Sequence, residues 1–189
     1  MPKKSNSRDT IVETASKLFF SQGYHATGLN QIIKESDSPK GSLYYYFPNG
    51  KEELALACIE NTRVLVLEKL NQCFANKSHA NEAIQAFILS VGEDAVEAEF
   101  EGFIPFSFWA AVETSCISDR LRLASQSVFK DWQDLIAVKL EQEGMGAEKS
   151  AEVASVVIST LEGALILTIT NRDEKPLITA SKYLSYLFN

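Results

Sequence analysis

Cysteine, histidine, proline and glycine are all scarce in this chain of 189 residues. The three cysteines, Cys58, Cys73 and Cys116, are widely spaced, odd in number and form no CxxC pair. This pattern argues against both a disulfide framework and a zinc site, so we expect these cysteines to pack in the core. The chain has five prolines and nine glycines, and 46% of its residues are hydrophobic. This composition is typical of an ordered globular protein. We predict neither a metal nor a cofactor.

Motifs for catalysis are also missing from the sequence. Its two histidines, His25 and His79, form no convincing catalytic group, and there is no nucleophile elbow, phosphate-binding glycine loop or metal-ligand set. An enzyme is therefore not expected. Residues 1–7 are polar and basic and lack the apolar segment of a secretory signal, which predicts a cytoplasmic protein.

The charges are unevenly distributed along the chain. Residues 1–51 contain seven Lys or Arg and four Asp or Glu, whereas residues 52–189 contain 11 and 21. The N-terminal part is therefore basic in a chain whose net charge is −7. This division indicates that only the N-terminal part meets a polyanion such as DNA, while the acidic remainder stays off the duplex.

Apolar residues recur at spacings of three and four along almost the whole chain, which predicts an all-α fold. The stretch 150–170 is nearly all apolar, but it contains Glu152, Glu162 and many small residues, so we expect a buried helix and no membrane span. The predicted helices cover residues 7–22, 27–36, 39–47, 51–75, 81–97, 104–115, 119–143, 147–171 and 176–188.

Two short helices with a polar turn between them predict a helix-turn-helix at residues 27–47. In this interpretation Thr27 caps the first helix, and Pro39 starts the second, which ends at Phe47. Leu43 and Phe47 lie four residues apart and should face the core. Such a motif places its second helix in the major groove of DNA while the first braces it across the backbone.

The second helix of the motif has the chemistry of a DNA-binding element. Short polar and hydroxyl-bearing residues lie near its N-terminus, where backbone N–H groups and the helix dipole also favour phosphate. Gly41 permits close approach, and Lys51 at the start of the next helix is placed to hold a flanking phosphate. The alternative is that the tyrosines are half-buried aromatics of a small core. The candidates are Lys40, Gly41, Ser42, Tyr44, Tyr45 and Lys51.

Residues 8–56 resemble the N-terminal domain of the tetracycline-repressor (TetR) family. The resemblance rests on the segments LFFSQGYHATGLNQI, KGSLYYYF and PNGKEEL. The last of these, with the weaker likeness of FKDW and LEGALILTITNRD, is similar to the LmrA/YxaF-like branch. The resemblance implies an all-helical, Ω-shaped homodimer. It also implies that positions contacting DNA are occupied here by Thr27, Lys40, Gly41, Ser42, Tyr44, Tyr45 and Lys51.

Two positions depart from the common pattern of the family. Asp37 occupies the turn where many members have glycine; because aspartate tolerates the left-handed conformation better than most residues, we expect the turn to survive. The pair Asn49 and Gly50 lengthens the next junction by one residue, which leaves the partner of Lys51 open.

We therefore predict two domains, an N-terminal three-helix DNA-binding domain at residues 1–50 and a larger helical C-terminal domain at residues 51–189. The helix at 147–171 and the last helix offer more apolar surface than one subunit can cover, which indicates a homodimer. A twofold dimer presents two recognition helices, so the double-stranded operator should be roughly palindromic.

The C-terminal domain contains a cluster of aromatic residues that suits a small, planar aromatic effector. The alternative is that the rings fill a core and that the glutamates are surface or salt-bridged residues. The candidate ligand-binding residues are Phe103, Phe106, Trp109, Glu113, Phe129, Trp132 and Glu162.

The function predicted from these features is that of a ligand-responsive transcriptional repressor. The effector would favour a conformation whose recognition helices no longer match adjacent major-groove faces, with the helix from Lys51 connecting the two domains. The alternative is a DNA-binding regulator without a ligand, either constitutive or sensing redox state through Cys58, Cys73 or Cys116.

Overall fold

The computed structural model describes residues 7–100 and 107–188. All regular structure in these residues is helical, so the predicted all-α class is confirmed. A π-helix covers Ser107–Glu113 and a 3₁₀ helix covers Ser185–Phe188. The α-helices are α1 (Ser7–Gln22), α2 (Leu29–Glu35), α3 (Lys40–Tyr46), α4 (Lys51–Asn76), α5 (Ala80–Glu97), α6 (Asp119–Gln142), α7 (Ala147–Asn171) and α8 (Lys175–Leu184).

The described residues form two compact units. The first unit contains residues 7–62 and 107–126, and the second contains residues 63–100 and 127–188. The units are not consecutive in sequence, because residues 107–126 belong with the N-terminal ones. The boundary at residue 50 between a DNA-binding domain and a C-terminal domain, which the sequence suggested, stays a prediction.

In the first unit, α1 packs against α2 and α3. The first helix ends where predicted, because Gly23 takes a left-handed φ of +87° that glycine adopts without steric penalty. The core of this unit contains fully buried side chains from all three helices, among them Ile11, Phe19, Ile32 and Leu43. Burial of these apolar side chains fixes the short helices α2 and α3, which are too short to be stable alone.

Thr27 does not cap α2, so this part of the prediction is wrong. The N-cap residue is Gly28, whose extended backbone leads into the helix without a side-chain cap. The hydroxyl of Thr27 instead donates a hydrogen bond of 2.7 Å to the carbonyl of Gly23. The expectation for the next turn is confirmed, since Asp37 adopts a left-handed φ of +47° between α2 and α3.

The segment predicted as an α-helix at 104–115 contains a π-helix, Ser107–Glu113, which is followed by α-helical residues 114 and 115. A cause is visible at Ala110, whose carbonyl accepts hydrogen bonds from the hydroxyls of Thr114 and Ser125, the latter at 3.0 Å. Side chains that insert into the backbone ladder widen or bend helices. Ser125 is remote in sequence, so helical periodicity alone does not reveal this change.

In the second unit, α8 packs against both α5 and α7. The apolar helix α7 is long enough to cross a membrane by length and composition, but its buried face, with Val157, Leu161 and Leu165, packs within this unit. The interpretation of this stretch as a buried helix is therefore confirmed.

Candidate nucleic-acid interface

The helix α3 has one face in the core and one face exposed. Leu43 is fully buried and Phe47, which follows the helix, is 2% exposed, as the four-residue spacing predicts. On the other side Tyr45 is 80% exposed and Tyr44 is 43% exposed. The two tyrosines therefore do more than fill a small core. Tyr46 is half-buried, and its ring meets that of Tyr45 edge-on at 5.1 Å.

The N-terminal turn of α3 is open to an approaching ligand. Lys40 and Gly41 are exposed and Ser42 is half-buried. Apart from its chain neighbours and its own helix, nothing lies within 4 Å of the point where a Cβ of Gly41 would stand, so a phosphate could approach the backbone closely. The Nζ atom of Lys40 lies 6.0 Å from the centre of the Tyr44 ring. A cation and a phenol hydroxyl are thus available on the same face.

Lys51 lies at the start of α4 with its Nζ atom 4.3 Å above the ring of Tyr24. Partial burial lowers the pKa of Lys51, and the nearby carboxylate of Glu113 opposes that effect. Contact with the aromatic face fixes the position of the ammonium group. Lys51 is therefore an ordered cation next to the turn that precedes α2.

Thr27 differs from the other predicted contacts because it is fully buried. Gln22 donates to its hydroxyl at 3.2 Å and to the side-chain oxygen of Gln31 at 2.8 Å, and Gln31 in turn donates to Glu35 at 2.9 Å. This network ties α1 to α2. The contacts of Thr27 favour a role in bracing the motif, while the other six predicted DNA contacts are exposed or half-buried.

Two of the predicted ligand-binding residues pack against α1 and the turn that follows it. The ring of Trp109 is fully buried, stacked on Phe19 at 5.2 Å and edge-on to Phe20 at 5.8 Å. The carboxylate of Glu113 accepts hydrogen bonds from the backbone N–H groups of Tyr24 at 2.7 Å and of His25 at 2.6 Å. Sequence reasoning missed this role of Glu113, since its partners lie 88 and 89 residues away.

The other candidates for ligand binding belong to the second unit or lie outside the described residues. Phe103 and Phe106 lie outside the described residues. Phe129 and Trp132 lie in the second unit with perpendicular rings 5.6 Å apart, and the indole N–H of Trp132 donates to the Arg63 carbonyl at 3.4 Å. Glu162 is half-buried on α7 in the same unit.

Two cavities of the second unit are lined by other residues. A groove of about 790 Å³ lies between α7 and α8, where Gly163, Leu167 and Tyr183 contribute to its walls. A cavity of about 460 Å³ lies near the turn between α6 and α7, beside His79 and Lys149. Within residues 7–100 and 107–188, no three His, Cys, Asp or Glu side chains are grouped so that they could hold a metal ion.

Comparison with known proteins agrees with this geometry. Residues 11–58 match the family model described as bacterial regulatory proteins, tetR family. Residues 80–183 match the model for the C-terminal domain of LmrA/YxaF-like transcriptional regulators. The HTH-type transcriptional regulator YxaF of Bacillus subtilis is 41% identical over 187 residues, which is 99% of this chain and 97% of that protein. The HTH-type transcriptional regulator LmrA of the same organism is 38% identical over 177 residues, 93% of each chain.

Solved structures show the same fold. A TetR transcriptional regulator from Legionella pneumophila superposes with a TM-score of 0.86 at 24% identity, covering 97% of this chain and 98% of that one. A regulatory protein TetR from Rhodobacter sphaeroides gives a TM-score of 0.85 at 21% identity, covering 97% and 99%.

The helix-turn-helix and its exposed second helix define a DNA-binding transcriptional regulator. The chain belongs to the tetR family of bacterial regulatory proteins, in its LmrA/YxaF-like branch, as the sequence predicted. The members that it resembles are transcriptional regulators and not enzymes.

Proposed function

We propose that this regulator is a homodimeric repressor that reads a palindromic operator with α3 and is released by a small, planar aromatic effector. One observation carries the proposal: Leu43 and Phe47 anchor α3 in the core, while Lys40, Tyr44 and Tyr45 remain available on its open side. A helix held in this way presents a rigid polar edge to the major groove. The protein would act in the cytoplasm, where bacterial DNA lies.

The roles of the α3 residues follow from their chemistry. Lys40 and Lys51 would contact phosphates, and so would the backbone of Gly41 and the hydroxyl of Ser42. Tyr44 and Tyr45 would contact phosphates or base edges through their hydroxyls. Thr27, which is buried, would support the motif from inside.

The surface of α7 and α8 supports the homodimer. Apolar side chains that are 43% to 60% exposed lie on these two helices: Val156, Ile166, Leu167, Ile178 and Tyr183. Monomeric soluble proteins rarely expose a contiguous apolar surface of this kind, whereas twofold dimers bury it. Gly163 is exposed on α7, with no atom within 4 Å of the position of its missing Cβ, so a partner helix could approach closely.

The effector would bind in the C-terminal domain, for which we propose residues 51–189, leaving 1–50 as the DNA-binding domain. Among the described candidates, Phe129, Trp132 and Glu162 belong to the second unit. The packing of Trp109 and the hydrogen bonds of Glu113 favour structural roles for those two residues.

The test measures binding of the purified protein to the DNA upstream of its own gene by fluorescence anisotropy. Lys40→Ala and Tyr44→Ala should each weaken binding by roughly thirtyfold, because each removes a contact worth about 1 kcal/mol from both subunits of the dimer. The control is Lys139→Ala, which also removes one positive charge but lies on α6 in the second unit. This variant should bind as the wild type does.

Helical content and dimer mass should be unchanged in all three variants. Wild-type affinity in both α3 variants would show that the recognition helix is assigned wrongly. A panel of planar aromatic compounds added to the wild-type complex should contain one that releases the DNA. If none does and an oxidant does, the effector proposal fails.

A further inference from the structure

Glu113, the last residue of the π-helix, holds the turn between α1 and α2. Its Oε2 atom accepts a hydrogen bond from the N–H group of Tyr24 at 2.7 Å, and its Oε1 atom accepts one from that of His25 at 2.6 Å. Hydrogen bonds to a carboxylate are shorter and stronger than those between neutral groups. Both oxygens are engaged by consecutive backbone groups, so the carboxylate fixes the orientation of this turn.

Gly23 makes room for that carboxylate. Its φ of +87° is a left-handed conformation, which side chains rarely adopt. A Cβ atom added at this position would lie 2.9 Å from Oε2 of Glu113, closer than real contacts allow. The left-handed backbone therefore favours glycine at residue 23, and a Cβ atom there would displace the carboxylate of Glu113.

A second carboxylate makes a similar connection on the other side of the motif. Glu52, in the first turn of α4, accepts hydrogen bonds from the hydroxyl of Ser118 and from Arg120, the latter at 3.3 Å. The turn held by Glu113 precedes α2, and Glu52 follows α3. Residues 113–120 therefore bond to the chain on both sides of the helix-turn-helix.

The carboxylate of Glu113 interacts with several groups of the first unit. Two backbone N–H groups meet its oxygens, and its charge opposes the lowering of the Lys51 pKa by burial. Burial also raises the pKa of the Tyr24 phenol, and the carboxylates of Glu52 and Glu113 add to this effect, so the phenol stays neutral beneath the ammonium of Lys51. Both oxygens of the carboxylate are therefore already bound to the backbone of the first unit.

We propose that Glu113 is a positioning residue for DNA binding: it holds the turn at residues 23–25 and thereby the orientation of α2 and α3, without touching DNA itself. The inference rests on the proposed use of α3 as the recognition helix. It replaces the role of polar anchor for an effector that the sequence suggested for Glu113.

The sign of the effect of Glu113→Gln provides the test. Removing a negative charge from the unit that binds DNA should tighten binding if only long-range electrostatics matter. Loss of position predicts the reverse, because the amide NH₂ group that replaces one carboxylate oxygen is a donor and cannot accept the hydrogen bond of the backbone N–H that faces it. We expect Glu113→Gln to weaken operator binding about fivefold. Glu141→Gln makes the same charge change at an exposed site on α6 and should bind as tightly as the wild type or more tightly.

The salt dependence separates positioning from direct contact. Lys40→Ala should reduce the slope of log affinity against log salt concentration by about 1.8, because each of the two subunits loses one phosphate contact. Glu113→Gln should keep the wild-type slope and lower the affinity by the same factor at every salt concentration. A slope reduced as in Lys40→Ala would show a direct role at the DNA and would overturn the proposal.

Hydrogen exchange of the backbone provides an independent readout. The peptide containing Tyr24 and His25 should exchange faster in Glu113→Gln than in the wild type and in Glu141→Gln. Glu113→Asp keeps the charge but shortens the reach, so it should also exchange faster and bind more weakly. Wild-type affinity in either Glu113 variant overturns the inference, and failure of the wild type to bind DNA overturns the proposed function instead.

Discussion

Single residues in the first unit show which local expectations hold. Gly23 ends α1 in a left-handed conformation, and Leu43 with Phe47 anchors α3, because these features depend only on backbone geometry and helical spacing. The cap at Thr27 was expected on the same kind of reasoning and is wrong. Its hydroxyl reaches the carbonyl of Gly23, a competing local acceptor that residue preference cannot weigh.

The cysteines give a prediction at the residue scale. The Cys58 side chain is fully buried, and burial raises the pKa of its thiol to about 12. At pH 8 such a thiol is ionised in roughly one molecule in ten thousand, and only the thiolate reacts. Iodoacetamide at pH 8 should therefore modify the exposed Cys116 first, the half-buried Cys73 more slowly and Cys58 only after unfolding.

Peptide mass mapping over a time course measures these three reactions. Unfolding in guanidinium should make the three rates similar, which serves as the internal control. Reaction of native Cys58 as fast as that of Cys116 would contradict its burial beside the carbonyl of Val12, 3.7 Å from its Sγ atom. Because Cys58 is protected, it is a poor redox sensor, and any response to oxidants would need Cys73 or Cys116.

At the scale of elements, the ordinary α-helices could be predicted from periodicity, and the π-helix could not. The helix predicted at 147–171 coincides with α7. The helices predicted at 51–75 and 119–143 each differ by one residue from α4 and α6. The segment Ser107–Glu113 differs because distant hydroxyls and backbone groups act on it, those of Ser125 and Tyr24 among them. Such tertiary contacts leave no pattern in the local sequence.

The packing of the π-helix on α1 leads to a prediction about Trp109. Because the ring is fully buried on Phe19 and Phe20, Trp109→Ala should lower the free energy of unfolding by about 3 to 5 kcal/mol. Trp109→Phe, which retains a stacking ring, should lower the free energy of unfolding by less. Chemical denaturation followed by circular dichroism measures both values. Unchanged stability in Trp109→Ala, together with a weaker response to an effector, would indicate that Trp109 lines a ligand pocket.

At the scale of the whole molecule, the uneven charge agrees with the place of the DNA-binding motif. Residues 1–51 hold seven of the 18 Lys and Arg residues and only four of the 25 Asp and Glu residues. The sequence could predict the class of protein because this charge division, the two short helices and the family motifs all lie in one segment. It could not predict that residues 107–126 join the same compact unit, since that association depends on contacts between residues about ninety positions apart.

The central claim is that two copies of α3, related by a twofold axis, read the operator. Selection of binding sites from a pool of random duplexes, followed by sequencing, tests it directly, because the pool is not biased toward any one operator or toward twofold symmetry. The wild-type protein should enrich an inverted repeat, whereas a variant combining Lys40→Ala and Tyr44→Ala should enrich no such repeat. Enrichment of the same repeat by both proteins, or of a motif without twofold symmetry by the wild type, would contradict the account.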